Sequence, residues 1–431
     1  MSRVIISGGR VLDPSRDFDG EADVLIEDGR IEAVEAGIEV RGAERIDASG
    51  TWVAPAFIDM HCHLREPGQE YKEDLASGSR AAVAGGFSAV ACMANTDPVN
   101  DDPSVTDYIL ARAREHAAAK IYPIAAATRG LLGEVMTEMS ALRDAGAVAF
   151  SDDGKTIMDS GVMRSVLEYS KMVDASVIVH AEDLCLVREG VVNEGPISTK
   201  LGLPGNPSTA EDIHVARDLR LAALTGARLH VAHVSSAGAV DLIRRAREEG
   251  VRVTAEVTPH HLCLTDEAAM GYDTNTKMAP PLRSAVDREA CRRGLCEGVI
   301  DVIATDHAPH AVHEKEVDFI EAPPGILGLE TAFPVVMDLV RKDEISPLEL
   351  MRRLSTRVAK ILRVPGGTLA KGAPADIVLL DPERRWVYDA AKGYSKSRNS
   401  PWDGQEMIGR VIATIVDGAV VYHSDRGVLV H

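Results

Sequence analysis

The stretch APAFIDMHCHLR, residues 54–65, is a short apolar run that breaks into polar residues at its C-terminal end. Seven more runs of this kind follow before residue 364: FSAVACM at 87–93, KIYPIAA at 120–126, AVAF at 147–150, SVIVH at 176–180, RLHVAHV at 228–234, VRVTAEV at 251–257 and VIDVIAT at 299–305. Each leads through polar residues into a helix-length amphipathic stretch, so strands alternate with helices and are expected to be parallel. The runs end on His61 and His63, Asn95, Thr128, Asp153, His180, His233, His260 and Asp306. Reactive residues at the ends of eight successive strands predict an α/β fold, a (β/α)8 barrel of the TIM type with its site on the C-terminal face. An open doubly wound sheet would instead gather such groups at one crevice.

Working outward, residues 4–46 and 367–430 alternate in short strands, with hairpin signals at Asp28-Gly29 and Asp417-Gly418. Neither flank is long enough for a core of its own, so the two are expected to pair into one small β-sandwich domain. The expected organisation is residues 1–52 and 365–431 as the two parts of that domain, with the barrel over 53–364. Residues 183–208, containing GLPGNPS, form an insertion long enough to wall the site.

The 431 residues carry 47 Lys and Arg against 66 Asp and Glu, a formal charge of −19, with 45% hydrophobic and 26% charged residues. This is the balance of a globular protein, and the acidity with no basic run argues against nucleic acid or anionic lipid as partner. Residues 1–10 have no secretory pattern, the longest uncharged stretch is broken by Gly85-Gly86, and six cysteines are too few for a disulfide framework. The expectation is a cytoplasmic protein that engages no membrane.

His61 and His63 are two apart on a strand and can reach one ion together while Cys62 faces away. His180 and His233 end later strands, Asp306 follows the eighth, and Asp152 and Asp153 end the fourth. Four imidazoles with two carboxylates, Asp306 and one of the Asp152-Asp153 pair, suit zinc better than calcium or magnesium. Six ligands exceed one tetrahedral ion, but two ions about 3.5 to 4 Å apart sharing a carboxylate and a bridging water use all of them.

With HCHLREPG, the two strand-ending histidines, TDHAPH (305–310) and SKSRNSPWDG (395–404), the chain resembles the cyclic amidohydrolases, in particular the bacterial dihydroorotase family, over nearly its whole length. The resemblance implies one zinc on His61, His63 and Asp306 and a second on His180 and His233, bridged by Asp153 and a hydroxide. Many relatives bridge with a carboxylated lysine; the FSDDG pattern here indicates the aspartate, with Lys155 as the alternative. The implied activity is reversible hydrolysis of dihydroorotate to carbamoyl aspartate in pyrimidine synthesis, with Asp306 moving the proton to the departing nitrogen.

Arg65 can grip a carboxylate in a bidentate fork. The resemblance adds Asn95 and His310 as further carboxylate contacts, His63 beside them, and a backbone contact at Gly325. Two positions depart from the family pattern, Ala279 in KMAPPLR and Pro324 in EAPPGILGLET. An allantoinase or dihydropyrimidinase would typically lack the Arg65, Asn95 and His310 set, and a non-catalytic scaffold for aspartate transcarbamoylase would be expected to lose metal ligands. The resemblance leaves open a homo-oligomer and an association with aspartate transcarbamoylase.

Overall fold

The structure, a computed structural model, describes residues 3–429. Eight parallel strands, Phe57–Cys62, Phe87–Cys92, Lys120–Ala125, Ala149–Ser151, Val177–Val179, Leu229–Val231, Val253–Val257 and Val302–Ile303, pair in sequence order as one sheet. The last is returned to the first by a parallel bridge between His307 and Cys62, with the His63 N–H donating to the His307 carbonyl at 2.9 Å. This closes the barrel expected from the sequence.

The reason the strands read as predominantly apolar runs is burial on both faces. Val177 and Val179 point outward into the layer of helices, while Ile178 between them faces the barrel interior with Ile58, Met60, Ala89, Ala91, Ile124, Ala149, Val302 and Ala304. Val358, Ala359 and Leu362 of the helix Arg357–Leu362 join this inner cluster, so the barrel is a packed core and not a pore.

The flanks form two sheets. Arg3–Ser7, Asp23–Glu27, Arg30–Glu35 and Glu44–Asp47 make the first, and the second runs from Gly427–Val428 through Ala419–His423, Glu406–Val416, Ile377–Val387, Trp52–Pro55 and Arg10–Asp13 to Phe18–Glu21. Ile6, Val24, Ile26 and Ile31 of one sheet pack on Val11, Val53, Ile377, Leu379 and Ile415 of the other. Both hairpins form at the expected dipeptides, where Asp28, Gly29, Asp417 and Gly418 all take positive φ as the tight turn requires.

One detail differs from expectation. Ala54 and Pro55 of the first apolar run belong to the sandwich, pairing with Val378 and Ile377, and the barrel strand begins only at Phe57. The insertion at 183–208 has structure of its own, with short helices Leu184–Val187 and Pro196–Leu201 and a parallel pairing of Val192–Asn193 with Gly205–Asn206. Among the described residues no helix is long and apolar enough to cross a membrane.

Candidate metal centre and carboxylate pocket

Along the first strand Ile58 and Met60 face inward, and an irregularity of pairing between Asp59 and Cys62 then moves the inward face by one residue. His61 and His63 consequently turn into the mouth of the barrel, while Cys62 and Leu64 pack outward among the helices. There they meet Asp153, His180, His233 and Asp306, all buried. His233 and Asp306 hold φ of 31° and 44°, and Arg65 one of 59°, a left-handed backbone that bulky residues rarely adopt and that clusters at functional sites.

Three overlapping trios have ligand atoms close enough to share an ion: His61, His63 and Asp153; Asp153, His180 and His233; and His61, His233 and Asp306. Asp153 Oδ1 lies 3.4 Å from His61 Nε2, 3.5 Å from His233 Nε2 and 3.8 Å from His180 Nδ1, while Oδ2 lies 3.5 Å from His63 Nε2. Asp306 Oδ1 is 3.1 Å from His63 Nε2 and 3.5 Å from His61 Nε2. His61 Nε2 and Asp153 Oδ1 are buried, face each other and have no hydrogen-bond partner. Nitrogen and carboxylate donors left unsatisfied together inside a protein are what a divalent cation satisfies, so the donor set fits a metal centre.

The outer nitrogens of three of these rings are already committed, while Nδ1 of His233 is buried without a hydrogen-bond partner. His61 Nδ1 meets Glu256 Oε1 at 2.6 Å, His63 Nδ1 meets Asn95 Oδ1 at 2.9 Å, and His180 Nε2 meets Glu182 Oε2 at 3.0 Å. Each contact leaves the opposite nitrogen aimed at the cluster, the arrangement that orients metal-binding imidazoles. Although burial opposes it, the carboxylates of Asp153, Glu256 and Asp306 hold the His61 ring well above its usual pKa. Burial likewise opposes ionisation of Asp153 and Asp306, yet the surrounding imidazoles keep both below the ordinary carboxylate range. Glu182, buried beside His180, is drawn down to about 2.

The expected carboxylate residues stand at the rim. Arg65 is buried, its Nε donating to the Pro309 carbonyl at 3.3 Å and its Nη2 lying 3.5 Å from His310 Nε2. Burial first, and Arg65 second, push the His310 ring down to about 2, so it is neutral, and its Nε2 faces the Pro324 carbonyl at 2.9 Å. Asn95 is spent in part on orienting His63. Both backbone groups of Gly325 are engaged, N–H to the Lys277 carbonyl and carbonyl to Asn399 Nδ2 and Lys315 Nζ. A side chain there would place its Cβ 2.6 Å from His310 Cδ2, so glycine is what lets the imidazole approach.

Some residues lie elsewhere. Asp152 stays out of the cluster because its Oδ1 accepts the Ala127 and Thr128 N–H groups at 2.8 and 2.9 Å. Lys155 is exposed. His261 is tied to Thr258 Oγ1 and the Pro280 carbonyl, whereas His260 is buried with Nε2 unpartnered and pushed down to about 4 by burial.

Residues 50–239 match the family model described as Dihydro-orotase-like. The chain is 51% identical to the dihydroorotase of Syntrophus aciditrophicus (strain SB), over 98% of its own length and 100% of the relative's. The chain belongs to the dihydroorotase family. The dihydroorotase of Pelobacter propionicus (strain DSM 2379 / NBRC 103807 / OttBd1) is 52% identical over 97% of this chain and 99% of its own. Among solved structures, this dihydroorotase-family chain is similar to the L-hydantoinase (dihydropyrimidinase) from Arthrobacter aurescens, with a TM-score of 0.90 at 27% identity, covering 100% of this chain and 98% of that one. The dihydropyrimidinase from Brevibacillus agri NCHU1002 follows the same path, with a TM-score of 0.86 at 27% identity over 99% and 96% of the two chains.

Reading strand ends did not find Glu256, Glu182 or Asn399, which hold residues of the candidate site in place. Glu256 did leave a signal. It is the one acid inside the run VRVTAEV, and a carboxylate within a strand buried on both faces needs a partner.

Proposed function

We propose that the protein is a dihydroorotase, interconverting dihydroorotate and N-carbamoyl-aspartate, with two zinc ions as cofactor. The observation that carries this is the placing of one buried, charged guanidinium, Arg65, at the rim of a cluster of four histidines and two aspartates. A neutral cyclic amide gives no reason to bury a cation there; a ring bearing a carboxylate does.

His61, His63 and Asp306 would hold one ion and His180 and His233 the other, with Asp153 between them. When bound, the metal supplies a Lewis acid and brings the acidity of water toward neutrality. Arg65 anchors the substrate carboxylate, and His310 adds a donor when that carboxylate replaces the Pro324 carbonyl at its Nε2. The ring amide carbonyl thereby lies over the cluster. Asp306, kept ionised by its histidines, accepts the proton of the attacking water and passes it to the ring nitrogen as the C–N bond breaks. Glu256, Asn95 and Glu182 keep the imidazoles fixed throughout.

A cytoplasmic location is proposed on the sequence's small number of cysteines. A homo-oligomer, and an association with aspartate transcarbamoylase, would be read from the mass of the protein alone and mixed with that enzyme. The activity is tested by the ratio of kcat/KM for dihydroorotate to that for dihydrouracil on zinc-loaded protein. A preference of about 10⁴ or more is expected, because a site with a buried charged donor rejects a ring lacking its partner. Comparable rates would move the protein to a sister amidohydrolase.

A further inference from the structure

The motif SKSRNSPWDG lies in the C-terminal part of the chain, beyond the last barrel helix, and the chemistry above makes no use of it. In the structure residues 395–399 bind two of the three loops that carry the carboxylate pocket, those after the first and the eighth strands. On the loop after the first strand, which carries Arg65, Ser397 Oγ donates to the Lys72 carbonyl at 2.7 Å, and the Lys396 N–H donates to Glu73 Oε1 at 3.2 Å. Buried Glu73 also accepts from Ser395 Oγ, and Lys396 Nζ pairs with Asp74.

On the loop after the eighth strand, Asn399 ties the segment carrying His310 to the one carrying Gly325. Its Oδ1 accepts the His310 N–H at 3.0 Å, and its Nδ2 donates to the Ala308 carbonyl at 2.9 Å and the Gly325 carbonyl at 3.0 Å. Its own carbonyl accepts the Leu327 N–H at 2.9 Å. The side chain is buried, so these bonds do not compete with water.

From this we infer that Asn399 is a positioning residue for substrate recognition, setting the separation of His310 from Arg65 through the C-terminal segment. The inference rests on the dihydroorotase reading. The amide is suited to the task because one side chain must accept from an N–H and donate to two carbonyls at once. Alanine supplies none of these bonds; aspartate keeps the acceptor but turns a carboxylate oxygen toward two carbonyls.

The test is steady-state kinetics of zinc-loaded N399A and N399D with dihydroorotate, with metal content and thermal midpoint measured on each. Asn399 touches neither the metal ligands nor the scissile amide. The expected result is therefore a KM raised about 10- to 100-fold, with kcat within about threefold and full metal content. N399D is expected to be at least as impaired as N399A. If N399A does not accumulate as folded protein, N399S, which restores one polar group, should show an intermediate KM. An unchanged KM in a folded, metal-loaded variant overturns the inference, as does a loss confined to kcat. Absence of dihydroorotate turnover in the unsubstituted protein would instead overturn the reading on which the inference rests.

Discussion

Glu256 shows how a single side chain conditions the site without belonging to it. Its carboxylate accepts from His61 Nδ1 at 2.6 Å, from His230 Nε2 at 3.1 Å and from the His233 N–H at 3.2 Å. It thus fixes the tautomer of one proposed ligand and the backbone of another. Glu256→Gln removes the charge with little change of volume and is expected to weaken zinc binding about 10- to 100-fold, measured by competition with a chromophoric chelator. Excess zinc should restore most of the activity, and wild-type affinity in the variant would show that the charge is irrelevant to the metal. The proposed ligands are legible in the sequence because each lies at or just after the end of a recognisable strand. Which support serves which ligand is not, because the pairing of His61 with Glu256 joins positions 195 residues apart, and only the closed barrel brings them together.

At the scale of elements, position within a strand or loop decides what each motif does. The His-x-His pattern would not face the pocket without the irregularity after Asp59, and no feature of the sequence marks that irregularity. The C-terminal segment is legible in the sequence only as a motif, and its role emerges from its contacts, held on one side by Glu73 and on the other by Glu330, whose Oε1 accepts the Tyr394 N–H at 2.9 Å. Burial raises the Glu330 carboxyl from 4.5 to about 7, so the folded state prefers it protonated. A carboxyl raised on folding binds more protons folded than unfolded, so its contribution to stability is present below pH 4.5 and lost as pH rises through about 7. Glu330→Gln mimics the protonated form and keeps the acceptor. It is expected to raise the thermal midpoint at pH 8, by an amount corresponding to at most about 3 kcal/mol, and to leave it unchanged near pH 4.5. Equal effects at both values would show that Glu330 does not titrate across this range.

For the whole molecule, the fold was readable because eight repeats of one pattern leave few alternatives. The sandwich was readable because both hairpins carry their own turn residues. The functional consequence is that an acidic protein, at −19, concentrates imidazoles and carboxylates at one barrel mouth and must manage their charge. A proton and a metal ion compete for the same imidazole lone pairs. His61 and His180, both buried among carboxylates that raise their affinity for protons, make that competition steep. Removing the metal with a chelator is therefore expected to abolish turnover and to lower the thermal midpoint. An ion present at about 100 times its Kd stabilises by about 2.7 kcal/mol. Because acid protonates the ligands and weakens the metal, the gap between loaded and stripped protein should narrow as pH falls from about 8 to about 6, since metal affinity falls as its ligands bind protons. Differential scanning calorimetry of both forms across that range reads the gap directly. A gap that does not change with pH would mean that the bound metal sits away from these histidines, and full activity after stripping would remove the metal from the chemistry.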